Sequence, residues 1–319
     1  MNPKSEEFKS ALSAVREQIA IAKRHGTHRG FIDYHGCLSV TRDFIQILED
    51  ADQAAERGHY PFAYSVAALV LVNLAKLAST ADDSAGGITD ARSYVDDVLE
   101  KVCLGVAYGS NEAEYIFLQS LKDSRNKAFE GWDEFAYGLL LPTARLATLE
   151  NINKLYAILD EFDAKCSQEK YSSWCLENGS LVRLAAIGAV DGEQAAEKFI
   201  EENLNHDSIR RIAIRQAMDK GEFARAEGLC RDRLNAVDRD YYWTKEWYDF
   251  LFDVYVKTED RQNQADLAEN LLVNKHDIKY YPVLKDLLIE KGVWDSQYPF
   301  LLERLARSLS YHLYMSILS

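Results

Sequence analysis

Apolar residues recur at helical spacing along almost the whole chain, and this periodicity limits the fold more than any other feature. Leu12, Val15 and Ile19, for example, fall at i, i+3 and i+7 and would form one apolar stripe on a helix. Only 5 prolines and 16 glycines interrupt the 319 residues, and we find no convincing run of alternating apolar and polar residues. The sequence therefore predicts an all-α fold of about fifteen helices joined by short loops.

Local signals mark several helix ends. Ser5 followed by Glu6 and Glu7 has the composition of an N-cap with an acidic first turn. The segment Asn111–Glu114 has the pattern of a capping box. The most apolar run, Val66–Val72, is followed by Asn73 and Lys76 and is shorter than the ~20 residues of a membrane span. We expect it to form a central buried helix.

A short pattern of glycine, aromatic residue and alanine occurs twice, in Gly58–Ala63 and in Gly221–Ala226. The glycine permits a tight turn between two helices, the aromatic ring wedges between them, and the small alanine allows their close approach. Asp260–Ala265 occupies a corresponding place without the glycine. These units resemble tetratricopeptide hairpins, which stack side by side. We therefore predict a right-handed α-α superhelix (solenoid) of antiparallel helical hairpins.

The chain changes character near Lys165. Helices before this residue are acidic and irregular in length, whereas later hairpins follow at spacings of roughly thirty to forty residues. We predict an irregular N-terminal helical region over residues 1–165. Tetratricopeptide-like hairpins over residues 166–319 are expected to stack continuously on it.

The charge balance disfavours polyanionic partners. The net charge is −14, and Ala81–Asp163 contains 16 Asp/Glu against 7 Lys/Arg. Nucleic-acid affinity comes mainly from Lys and Arg that displace counterions, and anionic membranes attract the same basic residues. We expect a protein partner and no membrane, with direct nucleic-acid binding disfavoured.

The five cysteines are widely spread and form no CxC or CxxC pair. This usage suits reduced thiols in the cytosol better than a disulfide framework. Residues 1–10 are polar, unlike a signal peptide. We therefore expect a cytoplasmic protein with reduced thiols.

Three segments resemble the helical region that follows the zinc finger in bacterial SWIM zinc-finger proteins: GFIDYHGCLSVTRDFIQILEDADQAAERGHYPFA, ADDSAGG and AAEKFIEENLNHDSIRRIAIRQAMDKGEFARAEGLC. The resemblance implies an interaction scaffold that is normally attached to a zinc finger with nucleic-acid or protein binding. The finger itself needs CxC followed by CxH, and neither motif occurs in this chain. The family's zinc ligands therefore carry over to no residue here.

The stretch HGTHRGFIDYHGC contains four residues able to bind a metal ion: His25, His28, His35 and Cys37. Their spacing matches no standard site, and Cys37 fits the apolar stripe of the following helix with Val40 and Phe44. We favour a connection between two helices and predict no metal or other cofactor. The loop Ala81–Gly87 fails as a calcium site, because position 12 from Asp82 is Ser93. We expect it to cap the helix that begins near Ile88.

No nucleophile elbow, zinc-protease, phosphate-loop or dinucleotide-binding motif occurs. We therefore predict that the protein is not an enzyme. An unfamiliar active site around His28, Asp33, His35 and Cys37 is kept as an alternative, and it requires a bound metal or a thiol that reacts at neutral pH.

Eight aromatic residues crowd positions 241–255, and Trp243 and Trp247 share one helical face. Packing between repeats is one interpretation. The other is an aromatic groove for a peptide, because Trp and Tyr dominate interface hot spots. Its candidate binding residues are Tyr242, Trp243, Trp247, Arg211 and Arg215. Arginines beside aromatic rings also suit single-stranded nucleic acid, which the net charge opposes.

Together these patterns predict a non-enzymatic, cytosolic protein-interaction scaffold that binds a peptide or partner helix in a solenoid groove. The alternative is a nucleic-acid-associated module of a SWIM-type zinc-finger protein. The two differ in salt dependence, which is steep for nucleic acid and mild for apolar contacts.

Overall fold

The computed structural model describes residues 2–27, 30–166, 172–236 and 241–318. The predicted all-α class is confirmed for these residues, which form sixteen α-helices, two short 3-10 helices and no strand. The α-helices are α1 (Glu6–Gly26), α2 (Tyr34–Glu56), α3 (Tyr60–Ala78), α4 (Gly87–Gly105), α5 (Asn111–Asp123), α6 (Asp133–Thr143), α7 (Ile152–Cys166), α8 (Ser172–Val190), α9 (Glu193–Glu202), α10 (Asp207–Asp219), α11 (Phe223–Ala236), α12 (Tyr241–Lys257), α13 (Arg261–Val273), α14 (Tyr280–Glu290), α15 (Trp294–Ser308) and α16 (Tyr311–Leu318).

The chain divides into two compact units, Met1–Ile209 and Arg210–Ser319. The composition shift near Lys165 lies inside the first unit. The division predicted there, between residues 1–165 and 166–319, rests on repeat regularity and stays a prediction.

Helix α3 is the centre of the first unit. Apolar residues cover all its sides, so it can be stable only where other helices surround it. Helices α1, α2, α4, α5 and α6 pack against it, and thirteen of its nineteen residues are buried. The predicted central buried helix is confirmed. By length and composition α3 is the one helix in the described ranges that could cross a membrane, but 72% of its 18-residue apolar window is buried inside the protein, as in a core helix.

The predicted N-terminal cap is confirmed at α1, where the Ser5 hydroxyl accepts a hydrogen bond of 3.1 Å from the Phe8 N–H. At α5 the cap lies one residue earlier than predicted. Ser110 accepts from the Ala113 N–H at 3.1 Å, so Asn111 is the first helical residue. Ser110 has the extended backbone that a cap requires.

One turn geometry recurs after α2, α10, α12 and α14. In each case a residue with positive φ follows the helix, and the next N–H donates to the carbonyl five residues earlier. The residues with positive φ are Gly58, Gly221, Glu259 and Gly292. The hydrogen bonds are His59 to Ala54, Glu222 to Ala217, Asp260 to Tyr255 and Val293 to Leu288, at 2.8–3.0 Å. This is the Schellman motif, which satisfies carbonyls at a helix end while it reverses the chain.

The turns explain the repeated sequence pattern. Ala63, Ala226 and Ala265 follow three of them and are buried against neighbouring helices. In the second unit, α11 packs against α12, and α13 packs against both α12 and α14. The predicted correspondence at Asp260–Ala265 is confirmed, with Glu259 where a glycine stands elsewhere. Helices α11 to α14 thus pack in chain order, and their arrangement as antiparallel hairpins of a tetratricopeptide-like superhelix stays a prediction.

The turn at Glu259 predicts a stabilising substitution. A non-glycine residue in the left-handed region costs about 1–2 kcal/mol, partly offset by the entropy that glycine loses on folding. Glu259→Gly should therefore raise the free energy of unfolding by about 0.5–1 kcal/mol in urea denaturation followed by circular dichroism. Gly221→Ala, at the equivalent turn in the same unit, should lower it by a similar amount. An equal loss of stability in both variants would contradict this assignment.

Candidate functional site

The histidine-containing stretch is a connection between two helices, as predicted. Helix α1 ends at Gly26, and Asp33 caps α2 by accepting a hydrogen bond from the Gly36 N–H at 2.8 Å. The two glycines allow the helices to touch, because a Cβ atom on Gly36 would collide with the Gly26 carbonyl. The two glycines of this stretch therefore allow α1 and α2 to pack closely against each other.

The connection lies against the loop Ala81–Gly87. Ile32 forms an isolated bridge with Ala81, and its carbonyl accepts from the Asp82 N–H at 3.0 Å. A carboxylate oxygen of Asp83 accepts from the Ile88 N–H at 3.0 Å and from the Cys37 thiol at 3.6 Å. The predicted capping role of this loop is confirmed, and Asp83 is the residue that performs it.

The candidate metal ligands of this stretch have different surroundings. His25 and His35 are exposed, and His28 lies outside the described residues. Cys37 is buried in the apolar stripe with Val40, as expected. Burial, together with Asp83, raises the pKa of the Cys37 thiol to about 11. In the described residues these side chains do not converge, and the one group with ligand atoms within 4.8 Å of one another is Asp133, Cys166 and Cys175.

The five candidate binding residues of the second unit fall into two sets. Trp247 is only 2% exposed. The Arg211 guanidinium lies 5.7 Å from the centre of the Trp247 ring and donates to Glu246 at 2.8 Å. Arg215 lies 5.8 Å from the centre of the Phe250 ring. These three residues therefore join α10 to α12 inside the unit, as the packing interpretation expects.

Tyr242 and Trp243 form the second set, which we call the aromatic pair. Tyr242 is 80% exposed and Trp243 is 66% exposed. Their ring centres lie 5.3 Å apart in an edge-to-face arrangement, which holds both rings at the surface. Partner binding by this pair stays a prediction.

An acidic groove between α2 and α4 was missed by the sequence reasoning. It has a volume of about 500 Å³, and its polar lining residues are Glu49, Asp52, Gln53, Glu56, Tyr94, Asp97 and Lys101. Lys101 places its ammonium 2.5 Å from Asp52 and 3.3 Å from Glu56. The spacing of acidic residues in the sequence could have indicated this groove, because Glu49, Asp52 and Glu56 fall at i, i+3 and i+7 on one helical face.

The cysteines correct one expectation. Cys166 and Cys175 form a disulfide, so the prediction of reduced thiols throughout is wrong for this pair. Cys37, Cys103 and Cys230 are free and buried. Burial raises the pKa of the Cys103 and Cys230 thiols to about 12 each. Cys166 and Cys175 are nine positions apart and lie on different helices, so no CxxC motif in the sequence reveals the pair.

Comparison with known proteins finds no family model, no curated protein and no solved structure that matches this chain. The resemblance to SWIM-associated helical regions consequently stays a resemblance.

The thiol environments predict slow alkylation. At pH 8 a thiol with a pKa of about 11 is ionised in about one molecule in a thousand, and only the thiolate reacts quickly. Iodoacetamide should leave Cys37, Cys103 and Cys230 unmodified in the folded chain and modify all three in guanidinium, as read by peptide mass spectrometry. Rapid labelling of folded Cys37 would instead support the alternative active site around it.

The two tryptophans of α12 predict contrasting effects on stability. Trp247→Ala should lower the free energy of unfolding by about 3–5 kcal/mol, because it removes a buried ring and leaves Arg211 without its stacking partner. Trp243→Ala, one turn away on the same helix, should change it by less than about 0.5 kcal/mol. Urea denaturation followed by circular dichroism measures both, and similar losses would show that Trp243 is also part of the core.

Proposed function

We propose that this chain is a non-enzymatic, cytosolic protein-interaction scaffold that binds a peptide or partner helix. The binding groove would be formed by tetratricopeptide-like hairpins stacked in a right-handed α-α superhelix. The single observation that carries the proposal is the aromatic pair, which displays two large rings side by side at the surface.

The aromatic pair belongs to α12, a helix that is held in place by its buried side chains. Trp247, Leu251, Val254 and Tyr255 of α12 are buried, and Tyr255 is further held by hydrogen bonds with Arg231 and Glu227. Tyr and Trp have few rotatable bonds, so rings on a rigid helix lose little entropy when a partner covers them. Such residues are the commonest hot spots of protein interfaces.

The charges near the pair favour a protein over a nucleic acid. Arg211 forms an ion pair with Glu246. Lys245 and Lys279 both contact Asp249, and Lys245 also lies 3.8 Å from Asp277. These basic groups are already neutralised by acids of the same unit, so they offer little to a phosphate backbone. The alternative of a nucleic-acid-associated module of SWIM type therefore has less support.

The acidic groove of the first unit supports the same class of partner. Four carboxylates line it, and Lys101 is the one basic side chain among its lining residues. A basic side chain from a partner segment would find complementary charge there. Such contacts mainly add specificity and a faster association rate.

The proposal can be tested by affinity capture from a lysate of the host. The experiment compares the wild type with the variants Trp243→Ala and Phe300→Ala. The wild type should retain a protein partner after nuclease treatment. Trp243→Ala should reduce its affinity by about tenfold or more, as loss of a hot spot does. Phe300→Ala is the matched control, because Phe300 is 65% exposed in the same unit, and it should bind as the wild type does.

Two outcomes would overturn the proposal. If nuclease removes every captured partner, the association runs through nucleic acid. If Trp243→Ala and Phe300→Ala bind the partner as tightly as the wild type, the aromatic pair is not the binding surface. With purified partner, a change from low to moderate salt should alter the affinity only mildly.

A further inference from the structure

Three helix ends meet at one place in the first unit. Asp133 is the first residue of α6, Cys166 is the last residue of α7, and Cys175 is the fourth residue of α8. One ligand atom from each lies within 4.8 Å of the other two, and both cysteines are buried. Two ligands of one Zn²⁺ lie at most about 4.6 Å apart, which is twice the Zn–S distance. In the disulfide the two sulfurs are bonded to each other, so they must separate after reduction before they can share a metal ion with Asp133.

A cavity of about 210 Å³ adjoins these residues. Asp133, Cys166, Phe162 and Tyr137 are among its lining residues. Tyr137 is only 3% exposed, and its hydroxyl has no hydrogen-bond partner in the part of the chain that is described. The rings of Phe162 and Trp174 each contact the Tyr137 ring edge-to-face, with centres 5.7 Å apart. The ring is thus held in one position.

The unpartnered hydroxyl points to a missing ligand. A buried hydroxyl without a hydrogen bond costs about 1–3 kcal/mol, so native proteins rarely retain one without a reason. A tyrosine hydroxyl carries its proton at neutral pH. It can therefore hydrogen-bond to a water molecule in the cavity.

The donor set fits a borderline-soft divalent cation. Thiolates and a carboxylate are common Zn²⁺ ligands, and a site with three protein ligands keeps a water in the fourth position. The amino-terminal end of α8 also stabilises negative charge on Cys175. Tyr137 would then hydrogen-bond to the metal-bound water, which satisfies its hydroxyl.

We propose that the reduced chain binds one Zn²⁺ through Cys166, Cys175 and Asp133, and that oxidation of the two thiols to the disulfide releases it. The disulfide is one state of this site, and the zinc-bound dithiolate is the other. Both states join the end of α7 to the start of α8.

The oxidant is a low-molecular-weight disulfide, such as oxidised glutathione. One protein thiolate attacks a sulfur of the oxidant, its S–S bond breaks, and one small thiolate leaves. The second protein thiolate then attacks the mixed disulfide, forms the Cys166–Cys175 bond and releases the second small thiolate. Two protons from solvent convert both leaving groups to thiols, and the Zn²⁺ departs because its two sulfur ligands no longer carry charge.

The remaining cysteines do not compete with this chemistry. Cys37, Cys103 and Cys230 are separate, buried and poorly ionised. Thiol counting therefore reports on the pair alone. The reduced, denatured chain should have five free thiols, and the oxidised chain should retain the three that are free in the structure.

The test measures Zn²⁺ and Co²⁺ binding by the full chain, first reduced under argon and then oxidised with glutathione disulfide. The reduced chain should bind about one equivalent of Zn²⁺, and bound Co²⁺ should give the near-ultraviolet thiolate-to-metal charge-transfer band. The oxidised chain should bind neither metal. Absence of the band in the reduced wild type would overturn the proposal without any variant.

Variants assign the ligands. Cys175→Ser should abolish stoichiometric binding, and Asp133→Asn should weaken it at least as much as loss of an outer-shell partner does, about 10- to 100-fold. Cys230→Ala, which removes an isolated buried thiol, is the control and should bind metal as the wild type does. Metal binding that survives in folded Cys175→Ser, verified by circular dichroism, would show that the ligands lie elsewhere.

Discussion

The need to bury α3 on every side is the constraint on which the first unit depends. A helix that is apolar all round cannot face water, so α1, α2, α4, α5 and α6 cover it. Its few polar groups are paired within this packing. The Tyr64 hydroxyl donates to Asp123 at 3.2 Å, and the Asn73 side chain donates to the Leu69 carbonyl at 2.9 Å. Glycine permits close approach of the neighbours, since a Cβ atom on Gly105 would collide with the Tyr60 ring. The acidic groove lies between two of the helices that cover α3.

Features set by neighbouring residues could be predicted from the sequence. The helical period, the Ser5 cap, the connection between α1 and α2, and the turn before Ala265 all depend on residues within a few positions of each other. The turn at Glu259 forms without the glycine found in the equivalent turns, because the Schellman hydrogen bonds form with any residue that tolerates positive φ. The capping role of the loop before α4 was predictable for the same local reason.

Features set by pairing between distant segments could not be predicted. Trp243 and Trp247 share a helical face, and only the tertiary packing leaves Trp243 exposed while it buries Trp247 against Arg211. Cys166, Cys175 and Asp133 come together from three helix ends. The periodicity of a sequence does not indicate which helix ends are close in the fold. The acidic groove likewise needs α2 beside α4. The proposed function follows the same division, since the helical class is evident from the sequence whereas a candidate binding surface depends on which side chains remain uncovered.

The central claim is that the aromatic pair is a protein-binding surface. Photo-crosslinking tests it most directly, with p-benzoylphenylalanine incorporated at position 243 in one chain and at the core position 247 in another. Irradiation in host cells should give one discrete protein adduct from position 243 that resists nuclease, and no such adduct from position 247. Adducts to nucleic acid, or identical products from the two positions, would contradict the account.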